Sequence, residues 1–151
     1  MLEKPHPYFE PLPTIDQPLP KLRLKNLLDR TGLTSKLIPV VPRLATREDL
    51  LRCHDAQYID RIQRQSTEGG GEAGQGTPFG KGSFEIAALA AGGVLAAVDG
   101  VMSGQVRNAY ALVHPPGHHA RRNEGMGFCI FANGPLAAAY LRDVYGLKRI
   151  A

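Results

Sequence analysis

An α/β fold built on a mainly parallel sheet is what this sequence predicts. Three observations point there. Short apolar runs at residues 37–41, 108–114 and 128–131 alternate with segments of helical spacing. The order helix, strand, loop, helix, strand suits parallel strands joined by crossover helices. The residues richest in chemistry follow one apolar run, where open α/β sheets place their sites.

The 151 residues fit about one domain, and 43% hydrophobic with 21% charged is an ordinary globular mix. Six prolines in residues 1–20 read as an extended leader lying over a surface, ahead of an α/β portion over residues 21–151. Leu22, Leu27 and Leu28 predict a short helix over 21–30, with Gly32 just past its end. Residues 37–41 read as a strand. Thr46, followed by Glu48 and Asp49, is a helix start with acid in its first turn. Leu50, Leu51, His54, Tyr58, Ile59 and Ile62 then fall near helical spacing, as two short helices. His54 and His6 read as surface or packing histidines.

Residues 69–82 hold seven glycines and read as a loop, a lid or rim. Gly80-Lys81-Gly82-Ser83 ends like a phosphate loop, but Gln75 stands where the first glycine is needed, and no strand precedes it. Ser83 is placed to cap an Ala-rich helix running to about Met102, in which Gly92 and Gly93 predict close packing. Residues 108–114 read as a buried strand. Asn133, Gly134 and Pro135 open a helix ending near Tyr145 and stopped by Gly146. Residues 148–151 look like the start of another strand.

Net charge is +4 and scattered, and its densest patch (Lys21, Arg23, Lys25) is too small for a nucleic-acid footprint. Cys53 and Cys129 form no CxxC pair and suit a reducing compartment or simple burial, not a disulfide framework. No run of 18 apolar residues suits a membrane, and the N-terminus shows no apolar signal region. The expected location is cytoplasmic.

The chemistry concentrates in His114-Pro115-Pro116-Gly117-His118-His119-Ala120. Imidazole is the side chain suited to proton transfer near neutral pH, and the prolines stiffen the approach to the adjacent pair His118 and His119. A surface loop that happens to hold histidines is the competing reading. His114 and His118 do not make a metal pair, because Pro115, Pro116 and Gly117 forbid a regular helix between them.

This segment, with Gly125-Met126-Gly127-Phe128-Cys129-Ile130-Phe131 after it, resembles the signature of the histone deacetylase superfamily, class II-type amidohydrolases and acetylpolyamine amidohydrolases included. Residues 54–59 and 77–85 also look like its members, and the resemblance runs from about Leu22 to the end. It implies an arginase/deacetylase-like parallel sheet flanked by helices. It implies a zinc-dependent hydrolase that removes acetyl or acyl groups from lysine side chains, in proteins or peptides, or from polyamines. His119 would be the main general base and acid, and His118 would hydrogen-bond the water; each is normally oriented by a carboxylate. Gly127, Phe128 and Pro116 would contact substrate, Gly127 and Phe128 lining a narrow tunnel, with ordinary core packing as their competing role. Cys129 would lie just behind the site.

Ala132 stands where many members have Asn, and His114 where Arg or Asn is common. The family's zinc (Zn) ligands, an Asp-x-His pair and a later Asp, and its oxyanion Tyr follow the strand expected near Ile150. The chain therefore reads as the N-terminal portion of such an enzyme, cut after its first strands, without metal ligands and inactive alone. The alternative is a non-catalytic or split-enzyme module that binds an acyl ligand, a complementing chain or a second copy. Arg121 and Arg122, near the expected mouth, would disfavour a polycationic substrate.

Overall fold

The computed structural model describes residues 19–151; the proline-rich leader up to residue 18, with His6, lies outside the described residues. Helix α1 spans Leu19–Arg30, so Leu19 and Pro20 open the helix instead of ending the leader. Proline is tolerated there because first-turn amides have no helical partner. A 3-10 turn, Thr34–Lys36, follows. Helix α2 (Arg47–Leu51) starts on a full capping box: Thr46 Oγ1 accepts the Asp49 amide at 3.1 Å, and Asp49 accepts the Thr46 amide at 2.9 Å. Helix α3 spans Ala56–Glu68. The break between α2 and α3 turns Leu50, His54, Tyr58, Ile59 and Ile62 inward.

The glycine-rich stretch is more ordered than a loop. It carries β1 (Gly70–Glu72), β2 (Gly74–Gln75) and β3 (Pro78–Gly80), with β1 antiparallel to β3. Ala73 and Thr77 between them are fully buried. Glycine is what permits the pairing: a Cβ on Gly70 would meet the Phe79 carbonyl oxygen at 2.3 Å.

Helix α4 spans Ser83–Met102. Ser83 is not its cap. Gly82 occupies the N-cap in a left-handed conformation, and the Ser66 hydroxyl of α3 accepts the Phe84 amide at 3.0 Å instead. A Cβ on Gly92 would meet the Arg43 carbonyl oxygen at 2.0 Å, so the chain crosses directly on this helix. The Ala45 amide bonds the Ala88 carbonyl at 2.9 Å there. Strand β4 (Gly125–Met126) pairs parallel to β2, and helix α5 spans Asn133–Tyr145 with Gly146 as its left-handed C-cap.

Residues 37–41, 108–114 and 148–151 form no ladder among the described residues, contrary to the strand reading. A strand needs a hydrogen-bonding neighbour, and none of the described segments supplies one. The first two runs nonetheless lie along α4. Pro42 and Val113 stand 3.6 and 3.7 Å from where a Gly93 Cβ would be, and Val40 and Val106 stand 3.6 Å from one on Gly100. Their outer faces are open: Val41 is 84% and Tyr110 77% exposed. The core gathers around Phe131, which meets His54, Tyr58 and Phe84 edge-on at 5.4, 6.3 and 5.7 Å.

Candidate active site

The histidine loop hangs from three anchors. Asn133, at the start of α5, donates from Nδ2 to the Pro115 and Pro116 carbonyls at 2.9 and 3.1 Å. Gly117 takes φ +96°, and a Cβ there would strike the Asn133 amide nitrogen and the Phe131 carbonyl oxygen, each at 2.6 Å. Only glycine fits. Beneath the loop, the buried Cys129 sulfur accepts the Gly117 amide at 3.2 Å and the His119 amide at 3.5 Å.

So mounted, His118 and His119 project outward and are exposed, their ring centres 4.1 Å apart. Among the described residues no carboxylate is hydrogen-bonded to either ring. Pro116 is half-buried just upstream.

Gly127 and Phe128 form the tip of a tight turn closed by mutual backbone bonds between Met126 and Cys129, at 3.2 and 2.9 Å. Both have positive φ, +51° and +67°, the pattern of a type I′ turn. For a phenylalanine this conformation is unusual and needs outside support. The glycine-rich hairpin supplies it: the Gly127 amide bonds the Gln75 carbonyl at 3.0 Å, and Phe128's bonds Gly76 at 3.3 Å and the Thr77 hydroxyl at 3.1 Å. The turn brings Gly127 against His119, where a Cβ would meet ring Cδ2 at 2.9 Å. The structure thus brings His119, Gly127 and Cys129 together.

Sequence reasoning gave three contributors no part in the site: Thr77, Asn133, read as a helix start, and His54, read as a surface or packing histidine. His54 is buried, as a packing histidine, with both nitrogens bonded, Nδ1 3.2 Å from the Arg122 carbonyl and Nε2 accepting the Ala132 amide at 3.0 Å. Burial lowers its pKa from the usual histidine range. The signal available was its place in residues 54–59, one of the stretches carrying the resemblance. Arg122 pairs with Asp55 at 2.6 Å and Arg121 with Glu124 at 3.5 Å, so both cations near the loop are compensated. That weakens the charge argument against a polycationic substrate.

No group of three or more His, Cys, Asp or Glu residues is placed to hold a metal among the described residues.

The sequence profile described as "Histone deacetylase domain" matches residues 17–151. The chain is 46% identical to the histone deacetylase-like amidohydrolase of Pseudomonas aeruginosa over 136 residues, 90% of this chain and 36% of that protein. It is 38% identical to the polyamine deacetylase HDAC10 of Homo sapiens over 137 residues, 85% of this chain and 20% of that protein. The crystal structure of the HDA15 HD domain superposes with a TM-score of 0.83 at 27% identity, covering 90% of this chain and 39% of that one. The α/β fold of that domain, expected from the motifs, is the fold of this chain, although only two-stranded ladders form within the described residues. The chain spans 36% or less of the length of these two curated relatives.

Proposed function

The chain belongs to the histone deacetylase family, and from that premise we propose that it serves a hydrolase that removes acetyl groups from amines. The observation that carries the reading is the placement of His118 and His119. They form an exposed pair on a rigidly anchored loop, with Gly127 pressed to the second ring. His119 takes a proton from a water as it adds to the amide carbonyl, then returns it to the departing amine. His118, whose ring centre is 4.1 Å away, hydrogen-bonds the same water. Gly127 lets the turn lie against the His119 ring, and the Phe128 ring and Pro116 offer apolar walls to an alkyl chain. The family resemblance implies zinc, which would polarise the carbonyl; no group of three or more candidate ligands is gathered among the described residues.

Substrates follow from the relatives' names: an acetylated lysine in a protein or peptide, or an acetylated polyamine. The test is acetate release by the native protein carrying this chain, from an acetyl-lysine peptide and from acetylspermidine, before and after chelation. Release that chelation abolishes supports the reading, and no release from either substrate overturns it.

One observation favours a covered surface as well. Leu37, Ile38, Val41 and Tyr110 are exposed, on two runs that lie along α4 with unladdered backbone. Such an edge suits a further strand, from the same polypeptide or a complementing chain.

A further inference from the structure

We infer that His54 is the positioning residue of the histidine loop, a single-tautomer clamp that holds both ends of the segment carrying His118 and His119. The inference rests on the proton-transfer role just proposed for that pair. An amide N–H can only donate, so the Ala132 amide, 3.0 Å from Nε2, requires a lone pair on that nitrogen. Nδ1 then carries the proton and donates to the Arg122 carbonyl at 3.2 Å.

One partner is the loop's exit, and the other adjoins the residue that holds its entry. Arg122 lies three residues beyond His119. It is secured again by the Asp55 amide on its carbonyl at 3.1 Å and by its own Nε on the Asp55 carboxylate at 2.6 Å. Ala132 precedes Asn133, whose Nδ2 holds the Pro115 and Pro116 carbonyls just ahead of Gly117. His54 therefore fixes the loop's exit directly and its entry through one residue. Gly127 and Phe128 hang from Gln75, Gly76 and Thr77, a separate mount. Disturbing His54 is thus expected to act on proton transfer, and disturbing Thr77 on substrate grip.

The ring also packs, against Tyr58 at 5.3 Å and Phe131 at 5.4 Å, so the variants must separate packing from hydrogen bonding. His54→Phe keeps an aromatic ring and loses both bonds. His54→Gln keeps an acceptor near the Ala132 amide, and His54→Asn a donor near the Arg122 carbonyl.

The experiment compares these with wild type in the native protein carrying this chain, by nitrogen-detected NMR of the histidine rings and by steady-state kinetics on an acetyl-lysine peptide. The expected wild-type His54 signature is a protonated Nδ1 and a bare Nε2. His54→Phe is expected to move the His118 and His119 ring resonances and to lower kcat about ten-fold or more, with KM within about two-fold. Gln or Asn recovers part of that loss. A protonated Nε2 in wild type overturns the proposal. So do unmoved His118 and His119 resonances in folded variants, or a rise in KM at constant kcat. If wild type hydrolyses nothing, the functional reading fails, and the ring spectra still decide the role of His54.

Discussion

Gly127 lies against the edge of the His119 ring: a Cβ at this position would meet Cδ2 at 2.9 Å. With φ +51°, the position is also strained for any L side chain. Gly127→Ala is therefore predicted to destabilise by about 1–2 kcal/mol and to rotate His119. Urea denaturation and the His119 ring resonances check both. Gly134→Ala, within α5 and with nothing within 4 Å of the added carbon, is the control: it should not destabilise and should leave the His119 resonances unchanged.

Thr77 is buried, and its hydroxyl accepts the Phe128 amide at 3.1 Å. Thr77→Val keeps the shape and leaves that amide only its longer bond to the Gly76 carbonyl at 3.3 Å, a loss of about 0.5–1.5 kcal/mol. Thr77→Ser should retain most of the stability. Equal denaturation midpoints for Val and Ser would show that the hydroxyl does not support the Phe128 turn.

Adjacent glycines in α4 are predicted to respond in opposite directions. At Gly92 an added carbon meets the Arg43 carbonyl oxygen at 2.0 Å and the Ala45 amide nitrogen at 2.5 Å, both backbone. Gly92→Ala must displace a chain segment and should destabilise by about 2 kcal/mol or more. At Gly93 the nearest atoms are 3.6 and 3.7 Å away, ordinary contact. Gly93→Ala should stabilise by up to about 1 kcal/mol through helix propensity. A paired thermal-melt comparison reads the sign of each.

Acid should weaken the fold in two stages. Burial lowers the His54 pKa below its usual value of about 6.5. Below that value the unfolded chain takes up a proton that the folded chain refuses. The stabilisation is full above pH 6.5 and declines as pH falls towards the folded pKa, at a limit of about 1.4 kcal/mol per pH unit. Burial also raises Asp49, but the Arg43 guanidinium at 2.6 Å and the Thr46 amide outweigh it, leaving Asp49 below the usual carboxylate range. Its contribution is present above about pH 4 and is lost below that. Denaturation midpoints across pH should show the first decline in wild type and not in His54→Gln.

The parts of the fold that local rules dictate were readable in the sequence. Thr46, Glu48 and Asp49 announced a helix start, Pro135 and Gly146 bracketed α5, and Gly92 announced a close approach that Arg43 makes. What depends on distant partners was not. Residues 37–41 and 108–114 have strand composition, but a ladder needs a neighbour in space, and spacing along the chain does not show one. Ser83 had the composition of a cap, yet Gly82 takes that place and Ser66, on another helix, receives the Phe84 amide. At the site, His118 and His119 stood out because adjacent histidines in a proline-stiffened loop carry their chemistry locally, while Gly127 was marked only by the family resemblance. The sequence did not show how His54, Thr77 and Asn133 act, because each works through a hydrogen bond to backbone far along the chain.

The central claim is that His118 and His119 move protons for amide hydrolysis. Its most direct test is acetate release from an acetyl-lysine peptide by the native protein carrying this chain, wild type against His119→Ala. The account predicts turnover in wild type and a loss of about 100- to 10,000-fold in kcat for the variant, with its fold intact by circular dichroism. Equal turnover in the two proteins would contradict it.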